Sequence, residues 1–356
     1  MSRKRITMQM IADASGYSKY VVSKTLSGKD GVSDAARQKV LAVSKQLGYF
    51  KDSQVNINSL KVDDARQMDG EGFVLLVMPN HRYQNADSIY WGKVFDGIVD
   101  SLERENIGVI VLSSQSNLSG HVRTNRLLGV ITVGLVSSDM LLELNKHNVP
   151  IVMVDHEETM IQADTIFMDN RGGVNKLTNH LIGMGHKSLL FIGNNLWSLS
   201  FYDRWLGFKM ALETNNLYVS DKNYLLNIDY NAGDVEDQIQ THIDQLEKHK
   251  SLPTAFVCAN DNIAEHVMTI LIERGYRIPE DCSVTGFDNL ETSAQLNPPL
   301  TSIHVLKEAI GQRAVNMLFW RLENLEFPPE KVHVYCDMII RGSVGSPGKS
   351  KQPIKN

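Results

Sequence analysis

The run from Ile6 to Tyr49 constrains this chain more than any other stretch, because it fits three short helical patterns and their stops into fewer than fifty residues. Thr7 stands where a side-chain oxygen caps a helix over Met8 to Ala14, with Met8, Ile11 and Ala12 on one face. Ser15-Gly16-Tyr17 makes a tight turn with glycine at its centre. Ser18 caps a second helix, Lys19 to Leu26, whose Val22 and Leu26 point inward and which Gly28 ends. Ser33 caps a third, longer helix with Val40, Val43 and Leu47 as its buried stripe and Gly48 as its stop. A helix, a glycine-containing turn and a second helix make a helix-turn-helix, whose second helix fits the major groove of DNA. Lys19, Tyr20 and Lys24 are then the candidate base or phosphate readers. Helical spacing puts 20 and 24 on one face, with 19 and 23 beside them.

Charge divides the chain the same way. Residues 1–61 carry eleven Lys and Arg against four acids, a net +7, while the whole chain is −5, so the remaining 295 residues carry −12. A basic module is drawn to a phosphate backbone that repels the acidic body.

The N-terminal run resembles that of LacI/GalR-type bacterial transcription regulators, T-x-x-D-V-A-x-x-A-G-V-S-x-x-T-V-S-R-x-L-N-G. It matches at Thr7, Ile11, Ala12, Gly16, Ser18, Val22, Ser23, Lys24, Leu26 and Gly28. The family's following V-S-x-x-T-R-x-x-V appears as Val32, Ser33, Arg37 and Val40, and its L-G-Y as Leu47-Gly48-Tyr49. Met10, Val21, Ser27 and Ala36 depart from it. Val21 can meet a thymine methyl but cannot hydrogen-bond a base edge. The resemblance implies DNA contact at Thr7, Ser18, Lys19, Tyr20, Val21, Ser23, Lys24, Ser27, Ser33 and Tyr49.

From 53 to 72 the sequence reads as a polar linker. The family has a hinge helix here, Y-x-P-N-x-x-A-R-x-L, whose leucine wedges into the minor groove. This chain has Lys51 for the proline, Val55 for the alanine, Asn56 for the arginine and Asn58 for the leucine. Leu60 is the nearest apolar candidate for the wedge, since asparagine unstacks bases poorly.

From Phe73 onward, apolar runs alternate with helical segments. Strand candidates are 73–79, 108–113, 129–134, 150–156, 165–170, 188–193, 255–260, 282–288 and 301–305. Helical stretches include 94–105, 173–184, 204–215, 232–249 and 263–275. Such alternation means parallel sheets covered on both faces, here two α/β lobes in sequence with a ligand cleft beyond the carboxyl ends of the strands. The expected fold is therefore a small all-α helix-turn-helix domain (1–52) and a linker (53–72), followed by a two-lobed parallel α/β core (73–343). Lobe 1 spans about 73–171 and 305–335, and lobe 2 about 172–303 and 337–343. Residues 344–356 are expected to form a flexible Gly/Ser/Pro/Lys tail without leucine heptads, which disfavours a coiled-coil tetramer.

The body, too, is similar to the family's effector-binding core, which is itself like periplasmic sugar-binding proteins. The matching segments are Asp169–Gly173, His180–Gly193, Arg204–Phe208, Ala259–Ala264, Arg277–Asn289 and Pro298–Ile303. Arg204 is read as opening a helix with five donors in a fixed fork, suited to paired hydroxyls or a carboxylate. Asp261 and Asp288 are read as acceptors at strand ends, and Tyr90, Trp91, Phe201 and Tyr230 as aromatics able to stack on a sugar face. The resemblance implies effector contact at Arg204, Asp261 and Asp288, with Tyr230 as a lid.

Other classes fit less well. The GMGHKS segment interrupts the Gly-Lys pair of a phosphate loop with His186. His180 and His186 lack HExxH spacing, and no GxSxG elbow is present. No metal or cofactor is expected. Cys258, Cys282 and Cys336 lack CxxC spacing and read as buried, reduced thiols. There is no secretory h-region and no run of eighteen apolar residues, so the expectation is a cytoplasmic protein without a membrane span. The combined reading is an effector-responsive repressor of carbohydrate-utilisation genes, a homodimer that binds double-stranded operator DNA and a sugar or sugar phosphate. The alternatives are a sugar-modifying α/β enzyme and a plain sugar-binding protein.

Overall fold

The computed structural model describes residues 7–26, 32–46, 72–79, 89–113, 126–229 and 234–348. Its first three helices are α1 (Met8–Ser15), α2 (Lys19–Leu26) and α3 (Asp34–Gln46). Helices of eight residues are too short to persist alone in water. They hold here through a small shared core of Ile11, Ala12, Val22 and Val40, joined by Met8, Tyr17 and Val43. Burying each larger aliphatic contributes roughly 1.5–3 kcal/mol. All three expected caps form: Thr7 accepts from Met10 N, Ser18 from Val21 N and Ser33 from Ala36 N. Gly16 ends α1 in the left-handed region, at φ 75°.

The body contains two six-stranded sheets. Lobe 1 is built on β1 (Phe73–Val77), β2 (Gly108–Leu112), β3 (Leu127–Val133), β4 (Ile151–Val154), β5 (Asp164–Met168) and β11 (Lys331–Val334). Lobe 2 is built on β6 (Leu189–Gly193), β7 (Leu225–Asn227), β8 (Ala255–Cys258), β9 (Ser283–Asp288), β10 (Thr301–His304) and β12 (Asp337–Ile339). The strand orders are β11-β5-β4-β3-β1-β2 and β12-β10-β9-β8-β6-β7. All pairings are parallel except β10 with β12. The strand centres are continuous apolar runs, as sheets covered on both faces require.

The helices of the body are α4 (Ile89–Arg104), α5 (Ser138–Asn145), α6 (Asn170–Gly183), α7 (Leu199–Thr214), α8 (Val235–Lys248), α9 (Asp261–Glu273) and α10 (Lys307–Glu323). Two of them change lobes. α6 follows β5 of lobe 1 but packs on α7 of lobe 2, and α10 follows β10 of lobe 2 but packs on α4 of lobe 1. Both contacts close on glycine. A Cβ on Gly97 of α4 would lie 2.1 Å from Glu308 O, and one on Gly207 of α7 would lie 2.2 Å from Arg171 O. The backbones meet at these points, so any side chain would push the helices apart.

The short strands β7, β11 and β12 and the helices α5 and α10 were not foreseen from the sequence. β11 alternates exposed and half-buried residues and β12 has no fully buried one, a weak apolar signal typical of sheet edges. The start of the expected tail is docked. Gly345 O accepts from His186 Nε2 at 2.9 Å, and Gly345 N donates to Ser283 Oγ at 3.1 Å. All three cysteines are free and buried. Among the described residues, no helix is long and apolar enough to cross a membrane.

Candidate functional site

Two surfaces carry the residues singled out above. On the N-terminal module, Lys19, Tyr20 and Ser23 are exposed along α2, Val21 and Lys24 are half-buried beside them, and Val22 faces the core. Tyr20 keeps 70% of its surface exposed. Its ring lies beside Lys24 of the same helix, whose Nζ is 5.6 Å from the ring centre. Thr7, Ser18 and Ser33 are exposed at the helix starts. Ser27, Tyr49 and Leu60 lie outside the described residues, as does Tyr230.

The second surface is the cleft between the lobes, and Arg204 is its centre. It is buried in the second turn of α7, not at a helix start, because α7 begins five residues earlier at Leu199, capped by Ser198. Its Nε donates to Asn170 Oδ1 at 2.8 Å, Nη1 to Ala259 O at 2.7 Å and Nη2 to Asp288 Oδ1 at 3.3 Å. The guanidinium lies 3.8 Å from the Phe287 ring centre and 5.3 Å from that of Phe201. Three of its five donors are thus taken, and stacking fixes the direction of the other two.

Two carboxylates face this group from opposite lobes. Asp288 ends β9 and Asp155 follows β4, both on left-handed backbone, at φ 103° and 56°. Side chains rarely occupy that region, and such strain clusters at binding sites. Asp155 Oδ1 accepts from Ser200 Oγ of lobe 2, so this bond spans the cleft. Among the described residues, the Asp288 carboxylate takes its side-chain hydrogen bond from Arg204. Burial pushes the Asp288 carboxyl up to about 7, with Arg204 pulling it back and Asp261 adding repulsion. Burial likewise raises Asp155 to about 6, offset by the Ser200 hydroxyl and by Arg204.

Lobe 1 adds Tyr90 and Trp91 in the first turn of α4, edge to face with ring centres 4.8 Å apart. Burial, then the charges of Asp155 and Asp288, hold the Tyr90 phenol well above its usual range. Lys307, the first residue of α10, is buried and donates to Asp288 O at 2.5 Å. Burial lowers its ammonium, and the neighbouring Asp288 and Asp261 oppose that. Lys93 of α4 reaches across to Glu291 of lobe 2 at 2.9 Å.

Asp261 differs from the sequence expectation. It does not end a strand but begins α9, and its carboxylate turns into lobe 2. Oδ2 accepts from Leu290 N at 2.7 Å and Ser293 Oγ at 2.5 Å, and Oδ1 from Ser302 Oγ at 2.6 Å. Both oxygens thus accept from lobe 2, and the carboxylate anchors the segment after Asp288. The groups that sequence reasoning passed over are Asp155, Asn170, Ser200 and Lys307.

Two stretches of the chain match known protein families. Residues 7–52 match the model of bacterial regulatory proteins of the lacI family, and residues 178–344 match that of the periplasmic binding protein-like domain. The chain belongs to the LacI family. It is 26% identical over 346 residues to the HTH-type transcriptional repressor PurR of Mannheimia succiniciproducens, covering 95% of this chain and 98% of that protein. The fold is shared with the transcriptional regulator CelR in complex with cellobiose, at a TM-score of 0.65, 21% identity and coverage of 95% and 100%. It is shared equally with the lac repressor dimer bound to operator and the anti-inducer ONPF, at 0.64, 20%, 96% and 100%. This LacI-family chain is thus a DNA-binding transcriptional regulator with an effector-binding core, in a family of regulators and not of enzymes.

Proposed function

We propose that this LacI-family regulator represses carbohydrate-utilisation genes as a homodimer on a roughly palindromic operator, and that a sugar or sugar phosphate bound between the lobes switches its operator affinity. A single eight-residue reading helix covers only a few base pairs, so two-fold symmetry is needed to double the site. The observation that carries the effector reading is the cleft itself: a stacked, half-satisfied guanidinium on one lobe with carboxylates presented from both. Arg204 donates to ligand oxygens, Asp288 and Asp155 accept ligand hydroxyls from opposite sides, and Tyr90, Trp91 and Phe201 cover the apolar ring face. Asp261 holds Asp288 in place without touching the ligand. The cellobiose complex of a protein with this fold accords with a polyol in such a cleft.

The test is a thermal-shift screen of the full chain against neutral sugars and their phosphates, followed by operator titration with each hit. A ligand that binds the folded core raises its melting temperature. By linkage, a ligand that weakens operator binding tenfold must itself bind about 1.4 kcal/mol more weakly to the DNA-bound form. If no sugar or sugar phosphate changes either melting or operator affinity in a folded, operator-binding sample, the effector class is wrong.

A further inference from the structure

The reading helix carries an arrangement that the effector switch does not use. Lys24 Nζ lies over the Tyr20 ring, 5.6 Å from its centre. This falls within the range in which a ring face attracts a cation. The pair is one helical turn apart on α2, and Tyr20 is the most exposed aromatic of the described N-terminal module. We propose that Tyr20 sets the base specificity of Lys24, so that the two read a guanine as one unit. The inference rests on the assignment of α2 as the DNA-reading helix.

The physical argument turns on where an unassisted Lys24 would go. It lies in the last turn of α2, where a lysine commonly folds onto the unpaired terminal carbonyls and the negative end of the helix dipole. A lysine held there approaches the phosphate backbone, not a base edge. Side chains on a helix lean toward its N-terminus, and Tyr20 stands one turn in that direction. Its ring therefore draws the ammonium back toward the end of the reading helix that enters the groove. It also removes part of the rotamer freedom, about 2 kcal/mol for a lysine, that binding would otherwise have to freeze out. An ammonium presented in the major groove is matched by guanine, whose O6 and N7 are both acceptors. Tyr20 is thus a positioning residue acting through Lys24.

The experiment selects the preferred operator from random DNA with the full chain and replaces each guanine of one half-site by 7-deazaguanine, which lacks the N7 acceptor. One replacement is expected to weaken wild-type binding about tenfold, within the usual worth of a good base contact. Lys24→Ala should lose that discrimination. Tyr20→Ala should lose it too although Lys24 is still present, and Tyr20→Phe, which keeps the ring face, should restore it. Circular dichroism and retained binding to random DNA establish that each variant is folded. If Tyr20→Ala keeps the full guanine discrimination while Lys24→Ala abolishes it, Lys24 acts alone and the proposal fails. If no guanine matters to any variant, it also fails, with α2 still free to bind DNA. If the Lys24 and Tyr20 variants match wild type on every sequence, α2 is not the reading helix and both readings fall.

Discussion

The two lobes repeat one plan and equip it differently. β4 and β9 hold the same place in their sheets, and each is followed or ended by an aspartate on left-handed backbone, Asp155 in lobe 1 and Asp288 in lobe 2. Helices α4 and α7 are both sixteen residues long, and Gly97 and Gly207 fall at the same step, each pressed on the second residue of a crossover helix. At the step where α7 has Arg204, α4 has the buried apolar Val94. One step earlier the charges are reversed: Lys93 pairs with Glu308 at 3.6 Å, and Asp203 pairs with Arg171 at 2.5 Å. The partners of the two aspartates follow from this. Asp288 finds a guanidinium within its own lobe, while Asp155 depends on Ser200 of the other. On the proposed effector reading, lobe 2 brings its carboxylate and guanidinium already paired, and lobe 1 adds Asp155 through a bond to the other lobe.

Removing Arg204 should break this asymmetry most severely. Arg204→Ala takes the partner from the buried Asp288 and strips donors from Asn170 Oδ1 and Ala259 O. Leaving a buried charge unpaired costs about 3 kcal/mol or more. The expected outcome is a core that melts several degrees lower and no longer changes operator affinity with effector. Should that variant fail to fold, Arg204→Lys keeps a charge but loses the fork, and it should fold while binding effector far more weakly. An Arg204→Lys protein that responds to effector at the wild-type concentration would show that lobe 2 is not the preformed half.

The same repeat shows what was legible in the sequence. The helix-turn-helix could be read almost to the residue, because caps, glycines and apolar spacing are local signals and α2 and α3 begin where Ser18 and Ser33 require. The buried strands were legible as apolar runs. The edge strands β11 and β12 were not, since neither has a fully buried residue. In the cleft, Arg204 and Asp288 stood within recognisable motifs. Asp155 was passed over although VMVDH matches TGFDN in form, an apolar strand ending in aspartate. Comparing the two sets of strands position by position would have paired them. Lys307 gave no signal, because its burial depends on a helix crossing from one lobe to the other. Asp261 is placed differently from its reading as a strand end: it begins α9, and the hydroxyls that bond its carboxylate come from Ser293 and Ser302, 32 and 41 residues away.

A second test compares the two aspartates by pH. Both carboxyls titrate higher in the folded protein than the value near 4 of an unfolded chain. The folded state therefore binds more protons than the unfolded one between these values. The contribution to stability is present below about pH 4 and is lost as pH rises, toward about 7 for Asp288 and about 6 for Asp155. Asp288→Asn should flatten the fall in melting temperature over that window, by on the order of 1–2 kcal/mol after relaxation and water entry. Asp155→Asn should flatten it less and over a narrower range. Equal flattening by the two variants would mean that their different partners do not matter.

The smallest expected effect separates a bridge within one lobe from a bridge between lobes. Lys93 and Arg171 are both partly exposed, and each closes onto the crossover or partner helix of its own lobe. Exposed ion pairs contribute little to stability, so neither Lys93→Ala nor Arg171→Ala should move the melting temperature appreciably. Lys93 differs in also holding Glu291 across the cleft at 2.9 Å. Its removal favours the open arrangement and should weaken effector binding by up to about threefold, since a ligand that needs closed lobes binds in proportion to the closed fraction. Arg171→Ala touches nothing across the cleft and should leave effector affinity unchanged. The difference should vanish near 1 M salt, where the screening length falls to about 3 Å. If the Lys93 variant matches wild type at low salt, or loses as much at high salt as at low, the bridge to Glu291 does not bias closure. On the proposed reading, lobe 1 would then act on the ligand only through Tyr90, Trp91 and Asp155.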